Sequence, residues 1–161
     1  MIASRNSASY GGIDCVEVES MERAEFERVW ARVKGSGENE EALLRREIGE
    51  AEALMEVYAA LASRWREGER CRGEKAAEVR VLRGEYYLLT GERCGGKPRT
   101  VRGGALSLLR QALAGEEKAA EEYARRAGEE KNRREKLCGQ LGREAARRAE
   151  LLQRAIMNTM K

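Results

Sequence analysis

The chain has 161 residues, enough for one domain with a sizeable core and no need of disulfide or metal staples. Charged side chains make up 37%, aromatic ones 5%, and there is one proline; this balance excludes a β-rich domain and fits long amphipathic helices. The 31 basic and 28 acidic residues leave a net charge of +3 and alternate at close spacing, so they form solvated helix faces and not the field that holds a polyanion.

Residues 1–19 are rich in Ser, Gly and Asn and read as a flexible N-terminal segment. Ser20 suits the N-cap of a short helix, MERAEFERVWARV, with Phe26, Val29, Trp30 and Val33 on one side. The run KGSG at 34–37 reads as its end, so that 20–37 form a short helix and linker ahead of a domain over 38–161. A first long helix is predicted over about 38–67, with Leu43, Leu44, Ile48, Leu54, Val57, Tyr58 and Leu61 at helical spacing. Gly68 marks a turn, and a second helix over about 69–90 turns Val79, Leu82, Tyr86 and Leu89 inward.

The stretch TGERCGGKPRTVRGG then breaks the pattern and holds the only proline. A third helix over about 104–127 carries Leu106, Leu109, Leu113, Ala120 and Tyr123. A turn near Gly128 and Asn132 leads to a fourth, ending about Met157, with Leu137, Leu141, Leu151, Leu152 and Ile156; one continuous helix through that junction is the competing pattern. Short connections after the first and third helices imply antiparallel hairpins. The dozen or so residues between the second and third reach about 40 Å, more than the roughly 30 Å of a 20-residue helix. The expected architecture is two helical hairpins joined by one long crossover.

Little else in the chain carries chemistry. Without histidine no Ser-His or Cys-His pair can form, and no phosphate-cradling Gly-rich loop follows a strand, so no catalytic or cofactor-binding residues are assigned. Cys15, Cys71, Cys94 and Cys138 lack the CxxC spacing of structural zinc and read as free thiols. Arg125 and Arg126 lie near Tyr123 without a basic, aromatic-interleaved stripe, so nucleic acid is not an expected partner. Residues 1–20 have no apolar h-region and no run of about 18 apolar residues occurs, which makes a cytoplasmic, membrane-free protein the expectation.

The segments GEAEALMEVYAALA, EVRVLRGEYYLLTGE, LAGEEKAAEEY and LGREAARRAELL, in that order over about residues 40–157, resemble the rubrerythrin branch of the ferritin-like superfamily. The resemblance implies an all-α, ferritin-like up-down-down-up four-helix bundle with one long crossover, preceded here by the short N-terminal helix. In that family the first and third helices each supply a Glu and the other two each a Glu-x-x-His, all around two irons. Carried onto this chain, the carboxylates fall at Glu50 (with Glu47 one turn earlier as a competitor) and Glu116, while Ala119 stands where an extra carboxylate can occur. The two Glu-x-x-His slots read Lys75-Ala76-Ala77-Glu78 and Glu144-Ala145-Ala146-Arg147. Both histidines are gone, one ligand carboxylate has become lysine, and no rubredoxin-type CxxC segment accompanies them.

Glutamates projecting into an apolar bundle cannot stay ionised alone, since desolvation costs several kcal/mol per ion. The expectation is therefore an ion network at the bundle centre, Glu50, Lys75, Glu78, Glu116, Glu144 and Arg147, in place of a metal. The competing reading puts Lys75, Glu78, Glu144 and Arg147 on solvated faces, on helices rotated by one position. Tyr58, Tyr86 and Tyr123 read as core residues whose hydroxyls find a partner. The expected function is a metal-free, non-enzymatic structural or protein-interaction module without cofactor, a homodimer or bound to another protein. The alternative is a rubrerythrin-like di-metal oxidoreductase or peroxidase with iron or manganese on Glu50, Glu78, Glu116 and Glu144. An extended coiled-coil adaptor is a third pattern.

Overall fold

The computed structural model describes residues 15–96, 99–129 and 133–161, with side chains at 23–28, 40–96, 99–128 and 134–161. Among them the chain is all-helical: α1 (Cys15–Leu61), α2 (Gly68–Thr90), α3 (Ala105–Glu129) and α4 (Arg133–Thr159). None of these helices is long and apolar enough to cross a membrane. The chain divides into two compact units, Met1–Glu40 and Glu41–Lys161.

In the first unit residues 15–40 are helical, side chains 23–28 are exposed, and Arg23 pairs with Glu27 one turn on, at 3.6 Å. The predicted stop at Lys34–Gly37 is corrected, because α1 runs through it. A helical glycine costs only about 1 kcal/mol against alanine, and no proline removes a backbone donor there. Residues 15–19, read as part of a flexible segment, are helical too. Residues 1–14, the side chains of Val29, Trp30 and Val33, Pro98, and the α3–α4 junction at 130–132 lie outside the described residues.

In the second unit, α1 ends at Leu61, six residues before the predicted end. The Leu61 carbonyl accepts bonds from the backbone N–H groups of Arg64 and Trp65, which curls the chain back and stacks Trp65 on Tyr58, ring centroids 6.4 Å apart. Gly68 starts α2 against this turn, where a Cβ would lie 2.9 Å from the Ala62 Cα. At the other end Gly91 adopts φ +74° and donates its N–H to the Tyr87 carbonyl, a left-handed cap that stops α2 without strain. α3 and α4 pack against each other.

The apolar stripes meet in two core clusters. One gathers Leu44, Ile48 and Ala51 of α1, Val79, Leu82 and Tyr86 of α2, Tyr123 of α3, and Cys138 and Leu141 of α4. The other gathers Leu54, Val57, Tyr58 and Leu61 of α1, Cys71 of α2, Leu108, Leu109 and Ala112 of α3, and Leu152 of α4. On α2, α3 and α4 a buried charged residue stands in the sequence between the residues of the two clusters: Lys75 and Glu78, Glu116, and Arg148. Helical periodicity makes this a polar layer sandwiched between two apolar ones.

Candidate functional site: a buried ionic layer

Lys75, Glu78, Glu116 and Arg148 are each at most 3% exposed. Ions that far from water persist only with near-complete pairing, and the pairing here is dense. Arg148 approaches Glu116 with two nitrogens, Nε donating to Oε1 at 2.8 Å and Nη2 to Oε2 at 3.3 Å, and Nη2 also donates to Glu78 Oε2 at 2.9 Å. Lys75 Nζ bridges the same two carboxylates, at 2.9 Å from Glu78 Oε2 and 3.1 Å from Glu116 Oε2. Two hydroxyls complete the shell: Tyr58 donates to Glu116 Oε1 at 2.8 Å, and Tyr123 to Glu78 Oε1 at 3.1 Å.

Two cations thus face two carboxylates, and the layer is formally neutral. Glu116 accepts four hydrogen bonds, which fills the roughly four lone-pair sites of a carboxylate. Burial works to raise the Glu116 pKa, but Lys75 and Arg148 outweigh it and the net shift is downward. Arg148 shows the mirror effect: burial works against its charge, yet Glu116 and Glu78 hold its pKa above the ordinary value. Burial and the neighbouring carboxylate push both Tyr58 and Tyr123 upward, keeping their hydroxyls as donors. At the edge of the layer Glu74 lies 3.5 Å from Arg148 Nη1, an ionic contact without hydrogen-bond geometry.

A second buried pair joins Glu47 of α1 to Arg126 of α3, each about 5% exposed. Its geometry is less complete, since Glu47 Oε2 has no hydrogen-bond partner. Burial raises the Glu47 pKa, and Arg126 only partly offsets it. Tyr86, the third core tyrosine, donates to Glu41 at 3.1 Å and accepts from Arg45 at 2.5 Å.

Of the six residues assigned to a central network from the sequence, the fold brings together Lys75, Glu78 and Glu116. The other three are corrected. Glu50 lies outside the layer, its side chain 41% exposed, and pairs with Lys118 of α3 at 2.7 Å. Glu144 is half-buried and accepts from Gln140 at 3.1 Å. Arg147 is 41% exposed and pairs with Glu74 of α2. The cause is helix phase, because one residue turns a helix by about 100°. On α4 the inward stripe is Leu141, Ala145, Arg148 and Leu152, one position beyond the one assumed. The signal was present: Arg148 lies seven residues after Leu141 and four before Leu152. Glu47 similarly shares a face with Leu44, Ala51 and Leu54, whereas Glu50 does not.

Among the described residues no group of three or more His, Cys, Asp or Glu side chains is placed to hold a metal ion. Cys71, Cys94 and Cys138 form no disulfide, and burial, with Glu74 adding to it, pushes Cys71 up to about 11. Compared with protein-family models, curated proteins and solved structures, the chain matches none of them.

Proposed function

We propose that residues 41–161 form a metal-free helical bundle of ferritin-like arrangement that serves as a structural or protein-interaction module. The observation that carries this reading is the saturation of Glu116 and the threefold bonding of Glu78 by the protein's own Lys75, Arg148, Tyr58 and Tyr123. A di-metal centre needs carboxylate oxygens free to coordinate, and it needs them away from fixed cations. Here the cations sit where the metals would, so the residues present do not fit a di-metal group.

The up-down-down-up order is supported by the cluster memberships. α1 and α4 run from the Ile48–Leu141 cluster toward the Val57–Leu152 cluster, and α2 and α3 run the opposite way. Residues 91–104 then have to return along the bundle. At roughly 3.3–3.6 Å per residue they are long enough to pass the 23-residue α2.

The interaction role and the homodimer rest on the outer face of α2, where Val81, Tyr87 and Leu88 are 42%, 54% and 67% exposed and lie within two turns of one another. Elemental analysis after expression with added iron and manganese tests the metal-free assignment. Far less than one ion per chain is expected; about two tightly held transition-metal ions per chain would overturn it. Light scattering of Leu88→Arg beside the parent chain tests the interaction face, with loss of self-association expected.

A further inference from the structure

A cavity of about 230 Å³ opens between α1 and α3 and reaches the Lys75–Glu78 pair of α2. Its size lies between the roughly 150 Å³ that hold a benzene molecule and the roughly 300 Å³ at which drug-sized sites begin. From α1 the aliphatic side chains of Ala51, Leu54 and Val57 line it beside Glu47 and Glu50, and α3 adds Ala119. The ionised groups on its surface are matched: Glu50 with Lys118, Glu122 with Arg46, Glu47 with Arg126, and Lys75 with Glu78. A charged guest would add an uncompensated ion to this balanced lining and lose its hydration. One polar atom of a lining side chain is unsatisfied, the buried Oε2 of Glu47, on a side chain 5% exposed. Its missing partner is a hydrogen-bond donor.

We infer that this cavity is a binding site for a compact, uncharged, largely apolar alcohol or phenol. The hydrocarbon part packs on Leu54, Val57 and Ala119, and the hydroxyl donates to Glu47 once that side chain turns its free oxygen into the opening. The carboxylate stays anchored to Arg126 through Oε1.

The test is an NMR titration of the isotope-labelled full chain with para-cresol, toluene and para-toluate in parallel. Expected is saturable binding of one para-cresol per chain, with amide shifts confined to residues near 47–57, 75–78 and 111–123. The hydroxyl should make para-cresol about two- to tenfold tighter than toluene, and para-toluate should not saturate over the same range. Ala119→Leu fills the opening without touching an ion pair and should weaken binding by at least about tenfold; Ala53→Leu, on another lining residue, serves should that variant not fold. No saturable shift, toluene or para-toluate binding as tightly as para-cresol, or unchanged binding in a folded cavity-filling variant would each overturn the assignment.

Discussion

Two buried ion sites lie in the same helical unit and differ in completeness. In the layer around Glu116 every carboxylate oxygen has a donor, and the Glu116 pKa falls despite burial. At Glu47 one oxygen is bonded to Arg126, the other has no partner, and the pKa rises. Burial is nearly the same at the two carboxylates, 0% and 5% exposed. The difference therefore comes from the number and charge of the donors. Desolvation sets the cost of a buried glutamate, and its partners decide whether the ionised form is the stable one.

The largest expected effect breaks the layer around Glu116. Arg148→Leu leaves two buried carboxylates short of a cation and should destabilise the protein by about 3–5 kcal/mol. Arg147→Leu, one residue earlier, removes a half-exposed partner of Glu74 and should change stability by less than about 1 kcal/mol. Chemical denaturation of the two variants side by side checks both.

The two glutamates should also respond to acid with opposite sign. Glu116 has a lowered folded pKa, so its ionisation stabilises the fold above the usual glutamate value, and that stability is lost as pH falls through the folded pKa. Glu116→Gln should therefore cost about 3 kcal/mol near neutral pH, with the gap to the parent narrowing on acidification. Glu47 has a raised folded pKa, so its ionisation opposes folding at neutral pH, and that opposition disappears as pH falls below the unfolded value of about 4.3. Glu47→Gln should stay within about 1 kcal/mol of the parent, and its advantage should shrink with acid. Denaturation midpoints across a pH series sharpen the comparison.

The smallest effect concerns reactivity. Cys71 is fully buried beside the ionic layer with its pKa pushed up to about 11, whereas Cys94 is half-buried. At mildly alkaline pH a thiol reagent should label Cys94 in the native protein and Cys71 only when the chain unfolds, as peptide mass mapping would show.

Much of the fold was legible because the apolar stripes repeat cleanly. Leu44, Ile48, Leu54, Val57, Tyr58 and Leu61 are buried as their spacing implies, Leu43 is only half-buried, and Gly91 caps α2 where the pattern breaks. The stop at Lys34–Gly37 misled, because two glycines lower helix propensity without abolishing it. The ionic layer was legible in kind and only half in membership. Lys75 and Glu78, for which a solvated face was the competing reading, and Glu116 fall on the buried faces of α2 and α3, but on α4 adjacent arginines at 147 and 148 compete for one inward position. The alanines that flank the pair, Ala145, Ala146 and Ala149, leave no bulky neighbour to fix the phase, and only the more distant Leu141 and Leu152 decide it. The Glu47–Arg126 pair spans two helices, and no sequence spacing links such partners.

The most direct test of a core neutralised by the protein's own cations is a double-mutant cycle on Glu116 and Arg148, each replaced singly and together by leucine. A coupling energy of about 1.5–3 kcal/mol is predicted, with the double variant recovering much of the stability lost by either single one. Coupling below about 0.5 kcal/mol, with additive losses, would contradict it.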